Sequence, residues 1–186
     1  MKNFLKGVNL YLIGMMGAGK TTVGQLLAKE LGYRFFDTDA LIEKIAGQSI
    51  NEIFAQNGEI GFRQMESQVL AEISTYTNLV IATGGGIVLR RENWGCLHHG
   101  IVVWLDLPVE TLYARLAKDN TRPLLQDPNP LAKLQTLLQA RQPLYAQADL
   151  RIAIDSSLTP AAVSTLVLTE IPKALKSPIA AAAPSN

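Results

Sequence analysis

Cysteine is nearly missing from this chain. Cys96 stands alone, which excludes a disulfide framework and a thiolate-based metal site. A single thiol of this kind is expected as a small core hydrophobe. Histidine occurs only at His98 and His99; neither has a metal-ligand partner at helical spacing, so both read as loop residues. An excess of charge is lacking too, with 17 basic side chains against 16 acidic ones. That balance offers no footprint for nucleic acid and no polybasic membrane surface, and leaves anion recognition to a few local arginines. No window reaches membrane-spanning length, and Met1–Gly7 carries lysines but no apolar core of a secretory signal. The expectation is a soluble, cytoplasmic, monomeric protein whose 48% apolar content suffices for one sizeable core.

What is present is a glycine-rich loop in the setting it requires. Gly14-Met15-Met16-Gly17-Ala18-Gly19-Lys20-Thr21 follows the short apolar run Leu10–Ile13 and leads into Val23, Leu26, Leu27 and Leu31 at helical spacing. Glycines let successive backbone N–H groups close on phosphate oxygens, where any Cβ would obstruct. The helix N-terminus adds partial positive charge. Gly17, Ala18, Gly19, Lys20, Thr21 and Thr22 are therefore the candidate nucleotide-binding residues, with Lys20 reaching the outer phosphates and the Thr21 hydroxyl available to Mg²⁺. The implied ligand is ATP or GTP.

Strand-like and helix-like segments alternate along the rest of the chain. Apolar runs at Leu10–Ile13, Tyr33–Phe36, Leu79–Ala82, Ile101–Leu105 and Leu150–Ile154 read as strands buried on both faces of a parallel sheet. Ser49-Ile50-Asn51-Glu52 is a capping box, Pro108 suits a helix first turn, and Thr159-Pro160 is a cap followed by a first-turn proline. The pattern predicts a single three-layer α/β domain over residues 1–171, with about five parallel strands flanked by helices. Lys118–Pro130 is polar, proline-bounded and carries Arg122, the profile of a functional loop. Pro172–Asn186 reads as a flexible tail.

Further candidates lie at the ends of these strands. Asp37 and Asp39 follow the second; a period of two puts both carboxylates on one side, close to Lys20 and Thr21, although one of them could simply cap the next helix. Asp106 competes as a metal-side acid, since Ile101–Leu105 then Asp has the form of a Walker B strand. Arg63 falls off the apolar stripe Phe62, Met65, Val69 and Ile73, and by spacing alone it makes a surface pair with Glu59. Gly84, Gly85 and Gly86 close the third strand at an entropic cost, so either something approaches the backbone there or the chain turns tightly. Arg141 precedes Pro143-Leu144-Tyr145, and by itself reads as an ordinary solvated arginine.

Taken in order over about Leu10 to Asp155, these pieces resemble the shikimate kinases of bacteria and plastids. The matching residues are Gly14–Thr21, Phe36–Asp39, Ser49–Phe54, Gly58-Glu59 with Phe62-Arg63 and Glu66, Thr83–Gly86, Arg122–Leu125, and Arg141 with Pro143–Tyr145. The resemblance implies a nucleoside monophosphate kinase-like P-loop fold with a lid at about residues 118–130. It implies Mg²⁺-assisted transfer of the ATP γ-phosphoryl group to the 3-hydroxyl of shikimate, a step of aromatic amino acid biosynthesis. Carried over by position, Lys20 contacts the transferring phosphate, Thr21 ligates Mg²⁺ with Asp37 in its outer shell, and Arg122 closes over ATP. Asp39 would hold the substrate hydroxyls and is the candidate base. Arg63 and Arg141 would clamp the carboxylate, with Gly84, Gly85 and Gly86 against the substrate. A small hydroxylated anion does call for forked arginines at one end and a carboxylate at the other. One region departs: Asp155–Pro160 lacks the basic residue frequent in the family's adenine-side loop. The alternatives are a gluconate or nucleotide kinase of the same architecture, and a non-catalytic nucleotide-binding regulator.

Overall fold

The computed structural model describes residues 5–117 and 128–176, so Arg122 and most of the 118–130 loop lie outside the described residues. Five strands form one sheet: β1 (Leu10–Ile13), β2 (Arg34–Asp37), β3 (Leu79–Ala82), β4 (Ile101–Asp106) and β5 (Leu150–Ala153). The order is β2-β3-β1-β4-β5, and every pairing is parallel. Seven helices among the described residues complete the layers: α1 (Lys20–Leu31), α2 (Thr38–Ala46), α3 (Ile50–Ile73), α4 (Arg91–Leu97), α5 (Val109–Leu116), α6 (Pro130–Tyr145) and α7 (Pro160–Lys176). None of them is long and apolar enough to cross a membrane. The chain leaves β1 toward β2 on one side, then crosses back through β3 to β4 on the other. Loops following β1, β2 and β3 thus meet at the carboxyl edge of the sheet, where open parallel sheets hold ligands.

Burial separates the strands in a way their composition does not. β1 and β3 are buried throughout and β4 up to its last residue, whereas β2 and β5, at the sheet edges, are largely half-buried or exposed. The expectation of five strands enclosed on both faces therefore holds for the central three. Periodicity reports an apolar run, not the number of neighbours a strand acquires.

Two elements depart from the sequence expectation in extent. The capping box at Ser49 and Glu52 forms as expected, but α3 continues through a break at Gly58, whose φ of 66° is left-handed. Glycine adopts that conformation without a Cβ clash. Beyond the break, Phe62 and Val69 join Ile42 and Ile53 in a small second core. At the other end, α7 runs past Pro172 to Lys176, with Ile171 fully buried. The stretch read as a tail from Pro172 thus begins as helix, and residues 177–186 lie outside the described part.

Candidate active site

The loop after β1 bends around three left-handed glycines, Gly14, Gly17 and Gly19. At Gly14 an added Cβ would sit 2.6 Å from the Leu105 carbonyl, so side chains are excluded by packing as well as by φ. Gly19 is the N-cap of α1 and supplies no side-chain cap. The first N–H groups of that helix consequently face the cleft with their capping position left to a ligand. Lys20 is buried, and its Nζ donates to the carbonyls of Gly14 and Met15, each at 2.8 Å. These bonds hold the ammonium inside the loop.

Asp37 ends β2 and does two things at once. Its Oδ1 caps α2 by accepting from the Asp39 and Ala40 N–H groups, and its Oδ2 accepts from the Thr21 hydroxyl at 2.7 Å. Asp39 is already in the first turn of α2, so the extended-chain argument for placing the two carboxylates together does not apply. The helix turn brings both to the same cleft of about 520 Å³ instead. Asp106 goes elsewhere: Arg151 donates to its Oδ2 at 2.6 Å and 2.8 Å, and the pair belongs to the β4–β5 side. Asp106 does not line the cleft that holds Thr21, Asp37 and Asp39.

The glycine run after β3 is explained by what lies against it. None of Gly84, Gly85 and Gly86 has a positive φ. A Cβ at Gly84 would collide with the Glu66 carboxylate and lie 2.7 Å from Asp39 Oδ1, and a Cβ at Gly86 would enter the Arg63 guanidinium. Gly85 is looser, with nearest atoms 3.4 Å away. Site side chains crowd onto Gly84 and Gly86, and the chain also turns tightly here, the Ile87 N–H donating to the Gly84 carbonyl at 3.1 Å across Gly85 and Gly86. Gly84 N–H donates to the buried Thr38 hydroxyl at 2.9 Å, so this amide is not free for an anion.

Arg63 is not the surface residue its spacing indicates. Its side chain is only 14% exposed, and the partner at 2.7 Å is Glu66, which is fully enclosed; Glu59, the expected partner, lies farther off at 3.5 Å. Burial pushes the Glu66 carboxyl above the usual carboxylate range, against the pull of the Arg63 guanidinium. Arg141 is likewise buried rather than solvated, and its Nη1 donates to the Gly85 carbonyl at 3.3 Å. The two guanidinium groups thus meet the same glycine loop, one at Gly86 and one at Gly85, with Asp39 at Gly84.

Sequence reasoning named Glu66 in the family pattern without giving it a role, although it lies three residues after Arg63 on one helix face, and it missed Arg115. Arg115 had no local signal: it closes α5, and its Nη1 donates to the Gly17 carbonyl at 3.2 Å over the phosphate loop. Opposite it, Leu158 and Pro160 line the cleft. From the 155–160 segment, which lacks a base, Leu158 and Pro160 thus share the cleft with Arg115 of α5.

Comparison with known proteins agrees with this geometry. The family model described as shikimate kinase matches residues 16–172. The chain is 64% identical to the shikimate kinase of Nostoc sp. strain PCC 7120, over 95% of this chain and 97% of that one. The solved structure of the Acinetobacter baumannii shikimate kinase in complex with shikimate superposes with a TM-score of 0.84 at 42% identity, covering 94% of this chain and 98% of that one. A gluconokinase from Sinorhizobium meliloti, 16% identical with a TM-score of 0.54 over 91% and 95% of the two chains, shares the fold alone. The phosphate loop, the glycine run that meets Arg63 and Arg141, and these similarities together place the chain in the shikimate kinase family.

Proposed function

We propose that this protein transfers the γ-phosphoryl group of ATP to the 3-hydroxyl of shikimate, giving shikimate 3-phosphate and ADP. The observation that carries the reading is the convergence of Arg63, Arg141 and Asp39 on Gly84–Gly86, beside the loop that holds Lys20. Forked cations at one end suit a carboxylate, and a carboxylate at the other suits hydroxyls. In this reading Arg63 and Arg141 hold the substrate carboxylate, while Asp39 accepts from the ring hydroxyls and is placed to receive the proton of the attacking one. Lys20, released from the Gly14 and Met15 carbonyls, stabilises charge on the transferring phosphoryl group.

The donor set beside the loop fits Mg²⁺. Thr21 and Asp37 present hard oxygens in direct contact, and among the described residues no cluster of three or more His, Cys, Asp or Glu forms a separate metal cage. Thr21 would ligate the ion and Asp37 would orient its water; when bound, the ion neutralises charge shared by the outer phosphates. Arg115 and the Leu158–Pro160 wall suit the nucleoside end of ATP. Arg122, outside the described residues, retains its proposed role of closing over ATP. In this reading the enzyme works as a cytoplasmic monomer.

The test is ADP release measured in parallel with shikimate, gluconate and AMP as acceptors. Turnover with shikimate alone is expected. Preference for gluconate or AMP would assign the chain a different acceptor, and no turnover with any of them would favour a non-catalytic role.

A further inference from the structure

Tyr145 lies one helical turn after Arg141 on α6, so both side chains leave the same face. Both reach the same acceptor. The Tyr145 hydroxyl donates to the Gly85 carbonyl at 2.6 Å, and Arg141 Nη1 donates to it at 3.3 Å. The tyrosine is fully buried and cannot swing away. Its ring stacks on Trp104 with centroids 5.8 Å apart, and its hydroxyl lies 3.5 Å from Met15 Sδ in the phosphate loop. Trp104 in turn packs against Gly14. Burial raises the phenol, so it remains a proton donor across the physiological range, although the neighbouring Arg141 guanidinium pulls the other way.

We infer that Tyr145 is a positioning residue for the carboxylate end of the substrate site: its hydroxyl saturates the Gly85 carbonyl and so keeps the Arg141 guanidinium available to the ligand. A buried carbonyl needs a donor. With the short bond from Tyr145 in place, the long contact from Arg141 is dispensable, and its charge can turn to an incoming anion at little cost. Without the hydroxyl, Arg141 becomes the carbonyl's remaining donor among the described residues, and binding a carboxylate then strands the carbonyl.

This inference rests on the reading of Arg141 as a carboxylate ligand, and the experiment separates the two. Steady-state kinetics are measured for Tyr145→Phe and Arg141→Lys with shikimate and with its methyl ester, which keeps the hydroxyls but loses the charge. Tyr145→Phe keeps the ring and its stack on Trp104. It should raise KM for shikimate about tenfold, the loss of one hydrogen bond supporting a charged contact. It should leave kcat and the KM for ATP within about twofold and reduce the preference for acid over ester by the same factor of about ten. A purely structural tyrosine would instead shift the KM values for shikimate and ATP together and leave the acid-over-ester preference unchanged. That outcome, or an unchanged acid-over-ester preference in Tyr145→Phe while Arg141→Lys loses it, overturns the inference. Should Arg141→Lys keep both the preference and an unchanged KM for shikimate, the carboxylate reading of Arg141 fails and the inference falls with it.

Discussion

Arg63 Nη1 and Glu66 Oε2 are 2.7 Å apart, with the Glu66 side chain fully enclosed and that of Arg63 nearly so. An ion pair taken this far out of water is held by geometry rather than by any large net gain. It holds the guanidinium against Gly86. Glu66→Gln should keep the shape and lose the anchor, raising KM for shikimate more than KM for ATP. Equal changes in the two would remove Glu66 from the substrate side.

The same residue yields a pH dependence. A carboxyl whose value is raised on folding contributes stability that is full below the ordinary carboxylate range and is lost as pH rises through the raised folded value. The stability difference, wild type minus Glu66→Gln, should therefore shrink as pH climbs above the ordinary glutamate range. Urea unfolding of both proteins across a pH series measures it, and a difference that grows with pH would contradict the assignment.

In the proposed mechanism Lys20 stabilises charge on the transferring phosphoryl group. Its two carbonyl partners are in its own loop, so Lys20→Ala should leave the circular dichroism spectrum unchanged. It should reduce kcat by about 10²–10³-fold or more. Near-normal turnover would take Lys20 out of the mechanism.

Asp37 and Asp39 separate by their partners. Asp37→Asn keeps a good helix cap and loses the charge beside Thr21, so its turnover should recover partly as Mg²⁺ is raised. Asp39→Asn should lose about 10²-fold or more in kcat, with no recovery, if its carboxylate receives the hydroxyl proton. A Mg²⁺ titration of both variants decides, and rescue of Asp39→Asn alone would exchange the two roles.

The glycine run gives a graded series. Gly84→Ala and Gly86→Ala press on the Glu66 and Asp39 carboxylates and on the Arg63 guanidinium, and should raise KM for shikimate by about tenfold or more while nucleotide affinity persists. Gly85→Ala meets nothing closer than 3.4 Å and should be the mildest of the three. Isothermal titration with shikimate and with ADP reads both quantities, and a Gly85 variant worse than its neighbours would mean that the ligand, not the protein, demands the bare backbone.

The elements whose signals are local were legible in the chain: the phosphate loop, the capping box at Ser49, the first-turn proline at Pro160, and five strand-like runs. Each depends on residues within a few positions of one another, where φ, spacing and hydrogen-bond reach are set by covalent geometry. Pairings between distant segments were not. Arg63 and Glu66 are a local pair, but their burial depends on the distant glycine run at Gly84–Gly86 that packs against them. That Asp106 is spent on Arg151, 45 positions away, depends on β4 lying beside β5. The hydrogen bond from Arg115 to Gly17 spans 98 positions. Burial and partner choice arise only when these segments pack, because the cost of hiding a charge is set by whatever folds over it. A one-dimensional pattern can mark an arginine as polar, but only the packed chain decides whether it faces water, a carbonyl or a substrate.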